Sequence, residues 1–217
     1  MPENSDLKII AFNCSLKSAR DAKETSSTEK LLDQLLDEFK KHGGAGTIVR
    51  AVDQDFKPGV TSDEGDGDAW PALRQQIIEA DILVMATPIW LGQPSSVAKR
   101  VMERIDAFLS ETDDRGRMPS YGKVGIVAVV GNEDGAHHCA AELIQAMTEV
   151  GFSCPAGGVT YWVGEAQGDK EYKDLAKTPE AIANTTAMLA ANTAHLARLL
   201  KESVSYTHLT LPTKRIV

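Results

Sequence analysis

A doubly wound, three-layer α/β sandwich is the fold this 217-residue sequence predicts, with a five-stranded parallel sheet in the order 2-1-3-4-5. Three observations predict it. Five short apolar runs alternate with five stretches of helical periodicity, and neighbouring parallel strands need a crossover between them. The runs are continuously apolar, as strands buried on both faces are. Hydrophobic residues make up 42% of the chain, enough for one sizeable core, so residues 1–203 are assigned to a single domain.

The first strand is "LKIIAFN", residues 7–13. "TEKLLDQLLDEFKKHGG" follows as a helix with Leu31, Leu32, Leu35, Leu36 and Phe39 on one face and Gly43 as its stop. "TIVRAV" reads as the second strand, and the "GGAG" before it as helix-stop glycine. "WPALRQQIIEA" is a helix with Asp68 as its cap and Pro71 in its first turn. "DILVMA" is the third strand. "SSVAKRVMERIDAFL" then sets Val97, Val101, Met102, Ile105, Phe108 and Leu109 on one helical stripe. "KVGIVAVV" gives the fourth strand, and a helix over about 136–150 uses Leu143, Ile144, Met147 and Val150. "GVTYWV" is the fifth strand. The last helix opens at "TPEAI", with Thr178 capping and Pro179 in the first turn.

Lys and Arg number 23 against 31 Asp and Glu, a net charge of −8, which argues against nucleic acid or an anionic membrane as the main partner. The opening residues are too acidic for a signal peptide and no run approaches transmembrane length, so a cytoplasmic protein is expected. Cys14, Cys139 and Cys154 form neither an even disulfide set nor a metal cluster, as expected of free thiols. The tail 204–217 lacks acids, resembles translated vector sequence, and is left out of the fold. "TSDEGDGDAW" is read as a solvated turn, because its acids do not continue into a calcium-loop pattern.

In a sheet of this order ligands bind outside the carboxyl ends of the strands, where the order reverses. Three loops meet there: 13–27, 87–95 and 131–138. The first lacks both the dinucleotide glycine pattern and a phosphate-loop Gly-Lys-Ser. It does hold Cys14 and, after five residues, Arg20, the spacing of a cysteine phosphatase. Against that reading, the loop has no glycine and the helix begins well after Arg20. Ser26, Ser27 and Thr28 stand at the helix start with Glu29 placed for a capping box, where hydroxyls and N–H groups make a site for a phosphate monoester. In "ATPIWLGQPSSVAKRVMERID", Pro88 fixes a turn, Ile89 to Gln93 can aim backbone groups at a planar heterocycle, and Trp90 can cover its edge. Adjacent His137, His138 and Cys139 point in different directions and cannot readily share a metal ion, so none is assigned.

These stretches resemble the NADPH-dependent FMN reductases of the flavodoxin-like superfamily. "FNCSLKSARDAKETSSTEKLL" is similar to their phosphate loop, "ATPIWLGQPSS" to their flavin-cradling loop and "VVGNEDGAHHCAAEL" to their third flavin-site loop, over about residues 6–201. The resemblance implies non-covalent FMN, with its phosphate against Ser15, Lys17, Ser27 and Thr28. It puts the isoalloxazine along Pro88, Ile89, Trp90, Leu91 and Gly92, with Asn132, Glu133, Asp134 and Gly135 from the third loop. The first loop is longer and more charged than the flavodoxin one, which leaves open which hydroxyls touch phosphate. His137 or His138 could relay a proton near the ring; His137 is the candidate catalytic residue. "TYWVGEAQGDKEY" could close over the site from its own or a neighbouring subunit.

The expected activity is transfer of reducing equivalents from NAD(P)H through FMN to a small-molecule acceptor, a quinone or a flavin. A flavin-binding electron carrier or regulatory module without NAD(P)H oxidation is the alternative, with the cysteine phosphatase third. The resemblance further implies a possible homodimer or homotetramer.

Overall fold

The computed structural model describes residues 7–20, 26–166 and 168–202; the proposed foreign tail lies outside them. Among the described residues are six strands, β1 (Leu7–Asn13), β2 (Gly44–Arg50), β3 (Ile82–Trp90), β4 (Gln93–Pro94), β5 (Val124–Gly131) and β6 (Val159–Val163), and five α-helices, which alternate with them except that β4 follows β3 directly. The helices are α1 (Ser27–Lys40), α2 (Trp70–Glu79), α3 (Ser96–Ile105), α4 (Ala136–Glu149) and α5 (Glu180–Glu202). The parallel sheet runs β2-β1-β3-β5-β6, the flavodoxin-like order expected, and β4 pairs back onto the end of β3. Alternate strand residues feed two cores. Ile10, Phe12, Met85 and Val127 pack beneath α2, α3 and α4, while Leu7, Ile9, Val84 and Ile126 pack beneath α1 and α5.

Local chemistry shifts several boundaries. β2 starts at Gly44, inside the glycine run read as a helix stop. Only Gly43, at φ 70, ends the helix; Gly44 and Gly46 belong to the strand because α1 lies so close. A Cβ on Gly46 would sit 2.6 Å from Leu36 Cδ2, and one on Gly44 would sit 3.2 Å from Phe39 Cβ. β3 runs four residues beyond the predicted end at Ala86, then reverses through Leu91 and Gly92 into β4. Both turn residues have positive φ, 53 and 74, as the tightest hairpins require.

The acidic stretch before α2 is the largely exposed turn expected over residues 61–67, but the side chain of its last acid, Asp68, is buried. Asp68 and Arg104 form an ion pair at 2.7 Å with both side chains fully buried, and Asp68 also accepts the N–H groups of Lys57, Glu64 and Trp70. Arg104 extends beneath the Trp70 ring, 5.5 Å from its centroid. The predicted capping of α2 by Asp68 thus occurs through the Trp70 N–H, although Ala69 holds the cap position.

Candidate functional site

The end of β1 is organised by Asn13, a buried residue that sequence reading passed over. Its Oδ1 accepts the Ser15 N–H at 3.0 Å and its Nδ2 donates to Ser26 Oγ at 3.2 Å, tying the first loop to the start of α1. Ser26 is the helix cap, taking the Glu29 N–H at 3.1 Å. The reciprocal half of a capping box is replaced: the Glu29 carboxylate pairs with Arg50 of β2 instead. Further along, Ser15 Oγ accepts the Lys17 N–H and Ser27 Oγ accepts the Lys173 N–H, each at 3.2 Å. Ser15, Ser26 and Ser27 therefore all accept from the protein, Ser26 twice, and each hydroxyl still has its proton to offer. Together with the first-turn N–H groups of α1, they form a donor-rich pocket suited to an anion.

This donor cluster opens into a cavity of about 350 Å³. Its apolar wall is Leu16, Pro88, Ile89, Trp90 and Val130, and its far end is Gly131, Asn132 and Glu133. Nine of the thirteen residues assigned from sequence line it: Ser15, Lys17, Ser27, Thr28, Pro88, Ile89, Trp90, Asn132 and Glu133. Leu91, Gly92, Asp134 and Gly135 stand behind or above the wall. Leu91 is 91% exposed at the hairpin tip, and its N–H is held by the Glu133 carboxylate at 2.8 Å. Gly92 and Gly135 pack backbone to backbone; a Cβ on Gly135, whose φ is 127, would meet Gly92 Cα at 2.6 Å. The Asp134 carboxylate turns back to accept the Gly135 N–H at 2.8 Å.

Beyond the lining lies His137, whose Nε2 is 3.1 Å from Tyr161 Oη of β6. His138 pairs with Glu142 at 2.7 Å and with Gln93 Oε1, and the Cys139 thiol faces the Gly92 carbonyl. The three neighbours go three ways, as their helical positions dictate.

Cys14 cannot serve a phosphatase. It is fully buried, its thiol faces the Phe12 carbonyl, and burial pushes its pKa far above the ordinary thiol range. Arg20 is turned away from it, donating to the Asp53 carbonyl at 2.6 Å, while the Asp53 carboxylate takes the Ser18 hydroxyl and the Ala19 N–H. The loop is pinned toward β2 rather than wrapped around one anion.

Within the stretch read as a possible cover, one acid reaches the lining without having been assigned there. Glu171, from the segment after β6, reaches Lys17 with both carboxylate oxygens at 3.2 Å from Nζ. Tyr172 beside it is buried against Trp162, and Lys30 of α1 donates to the carbonyls of Tyr172, Lys173 and Leu175. The stretch read as a possible cover is thus docked on α1 of its own chain.

A hydroxyl-rich helix start, an apolar wall and a hairpin converge at the switch point of a doubly wound α/β sheet, where proteins of this architecture hold their ligands. The model of the NADPH-dependent FMN reductase family matches residues 7–168, and the chain belongs to that family of flavin-dependent oxidoreductases. The 8-demethyl-8-aminoriboflavin-5'-phosphate synthase of Streptomyces davaonensis is 33% identical over 221 residues, 94% of this chain and 82% of that protein. A Mycobacterium bovis protein named divalent metal cation transporter MntH is 35% identical over 208 residues, 92% of this chain but only 30% of its own length. No described helix here is long and apolar enough to cross a membrane. The crystal structure of RosB with bound 8-demethyl-8-formylriboflavin-5'-phosphate matches at TM-score 0.80 and 32% identity, covering 91% of this chain and 81% of that one.

Proposed function

We propose that this chain binds FMN non-covalently in the cavity and passes reducing equivalents from NAD(P)H to a quinone, flavin or similar small acceptor. The observation that carries the reading is the junction of two chemistries in one cavity: hydroxyl donors at the start of α1 and an apolar wall ending at Trp90. The first suits a phosphate monoester and the second a planar ring. Ser15, Lys17, Ser27 and Thr28 hold the phosphate, joined by Ser26. Pro88, Ile89 and Trp90 support the ring, while Asn132 and Glu133 close its far end. Leu91, Gly92, Asp134 and Gly135 act by shaping the hairpin and the loop against it. His137, outside the lining, is given no step. When bound, the flavin supplies the hydride and single-electron chemistry, so no side chain has to act as a nucleophile.

The similarity to the synthase and to RosB supports a second reading, in which a riboflavin-5'-phosphate is the substrate rather than the resident cofactor. A flavin carrier without NAD(P)H oxidation is a third. A cytoplasmic homodimer or homotetramer belongs to the same proposal, and sedimentation tests the assembly. The deciding experiment is a visible spectrum after incubation with FMN and gel filtration, followed by anaerobic NADPH. A retained band that bleaches supports the reductase. A retained band that stays oxidised turns the assignment to the carrier or the flavin-modifying reading, and no retained band overturns the flavin site.

A further inference from the structure

An anion pocket built for phosphate alone would present donors and cations, yet a carboxylate stands in this one. Glu171 takes the Lys17 ammonium with both oxygens at 3.2 Å, and Lys173 Nζ lies 3.7 Å from the same carboxylate. Both Lys17 and Glu171 line the cavity together with the hydroxyls of Ser15, Ser26 and Ser27. The carboxylate is not there by the wandering of a loose loop. Its neighbour Tyr172 is fully buried, gives its hydroxyl to Gln34 at 2.5 Å, and sits 5.3 Å from the Trp162 ring. Lys30 clamps the carbonyls of Tyr172, Lys173 and Leu175, the Lys173 N–H is taken by Ser27, and Glu171 itself caps the short turn 172–174. Helix α1, which supplies the donors, also fixes the acid that faces them.

Resting on the flavin-site reading above, we propose that Glu171 is a specificity-determining residue that lowers the preference of the site for a phosphorylated over an unphosphorylated flavin. A phosphate entering the pocket meets Lys17 already engaged and must share it with a fixed negative charge, so its Coulomb gain is reduced. An uncharged polyol end meets no such opposition, because a carboxylate accepts hydroxyl hydrogen bonds as readily as the serines donate them. The advantage of a flavin bearing the 5'-phosphate over one lacking it is thereby narrowed.

The test is fluorescence-quenching titration of FMN and riboflavin, at low ionic strength, on the wild-type chain, Glu171→Gln and Lys17→Gln. Glutamine keeps the acceptor that caps the 172–174 turn, and far-ultraviolet circular dichroism checks the fold. Glu171→Gln is expected to raise the ratio of FMN to riboflavin affinity about fivefold, through tighter FMN with riboflavin little changed. Lys17→Gln should move the ratio the opposite way. A ratio in Glu171→Gln within twofold of wild type, or lower than it, overturns the inference while leaving the flavin site standing. Wild-type protein that quenches neither flavin overturns the flavin site itself and this inference with it.

Discussion

Leu91 donates its backbone N–H to the Glu133 carboxylate at 2.8 Å, across 42 residues of sequence. The acid belongs to the loop after β5 and the donor to the hairpin after β3, so this hydrogen bond joins the Gly92–Gly135 contact in tying hairpin to loop. Leu91 also carries a φ of 53 with a γ-branched side chain, a conformation that glycine adopts without cost.

Removing that acceptor is therefore expected to loosen the site more than the fold. Glu133→Ala should weaken FMN binding about fivefold, the equivalent of about 1 kcal/mol for a partly exposed charge-assisted hydrogen bond. Urea unfolding should change little. Leu91→Gly, which relieves the backbone, should raise the unfolding free energy by about 1 kcal/mol. An unchanged FMN titration in Glu133→Ala would remove the hairpin bond from the account of binding.

Trp90 is 52% exposed while lining the cavity, so packing within the chain holds only part of its indole. Trp90→Ala should cost roughly tenfold in FMN affinity, the area and ring contact together being on the order of 1.5 kcal/mol. Thermal stability should fall only slightly, because little of the indole is packed away. A large loss of melting temperature with normal FMN affinity would make Trp90 a structural residue.

Asp68 supplies a pH-dependent share of stability. Burial pushes its carboxyl up, but the Arg104 guanidinium and three backbone N–H groups outweigh burial and hold it well below the usual carboxylate range. A depressed native value contributes stability that is fully present above the unfolded value of about 3.9 and is lost as pH falls through the native one. Asp68→Asn should cost about 3–5 kcal/mol at pH 7 by leaving Arg104 buried and uncompensated. In urea titrations the variant should lose less further stability than wild type between pH 4 and pH 2. Equal acid sensitivity in the two proteins would place the titrating group elsewhere.

The thiols should be slow to react in the native state. Burial pushes the Cys154 and Cys139 thiols up to about 11 and holds Cys14 higher still. At pH 8 only about one Cys154 thiol in a thousand is thiolate. Alkylation followed by mass spectrometry should label Cys154, the least buried of the three, first and Cys14 last, with all three reacting rapidly in denaturant. Early labelling of Cys14 would reopen the cysteine chemistry that its surroundings argue against.

Much of the candidate cavity's lining was legible in the sequence because loops at the carboxyl ends of a doubly wound sheet must follow the strand ends. The apolar runs marked those ends, and Ser26 to Thr28 and Pro88 to Trp90 fell where the cavity lies. The hairpin through Leu91 and Gly92 was less visible, since a leucine at positive φ breaks the residue preference by which such turns are recognised. Asn13 was hidden for a different reason: a polar residue closing an apolar run reads as a boundary, while its work is done by two hydrogen bonds into separate segments.

By itself the sequence determined the alternation of strand and helix, and with it a parallel, doubly wound sheet, because burial on one or two faces leaves a periodic record along the chain. It also determined which loops carry donors. Only the tertiary structure decided who meets whom: Asp68 with Arg104 across 36 residues, and Lys17 with Glu171 across 154. Charged partners chosen over such distances leave no period to read, since each position is satisfied by any opposite charge the fold happens to bring within reach. The acid placed at the anion pocket is therefore a product of how α1 holds the segment after β6, and nothing in the local sequence around Glu171 announces it.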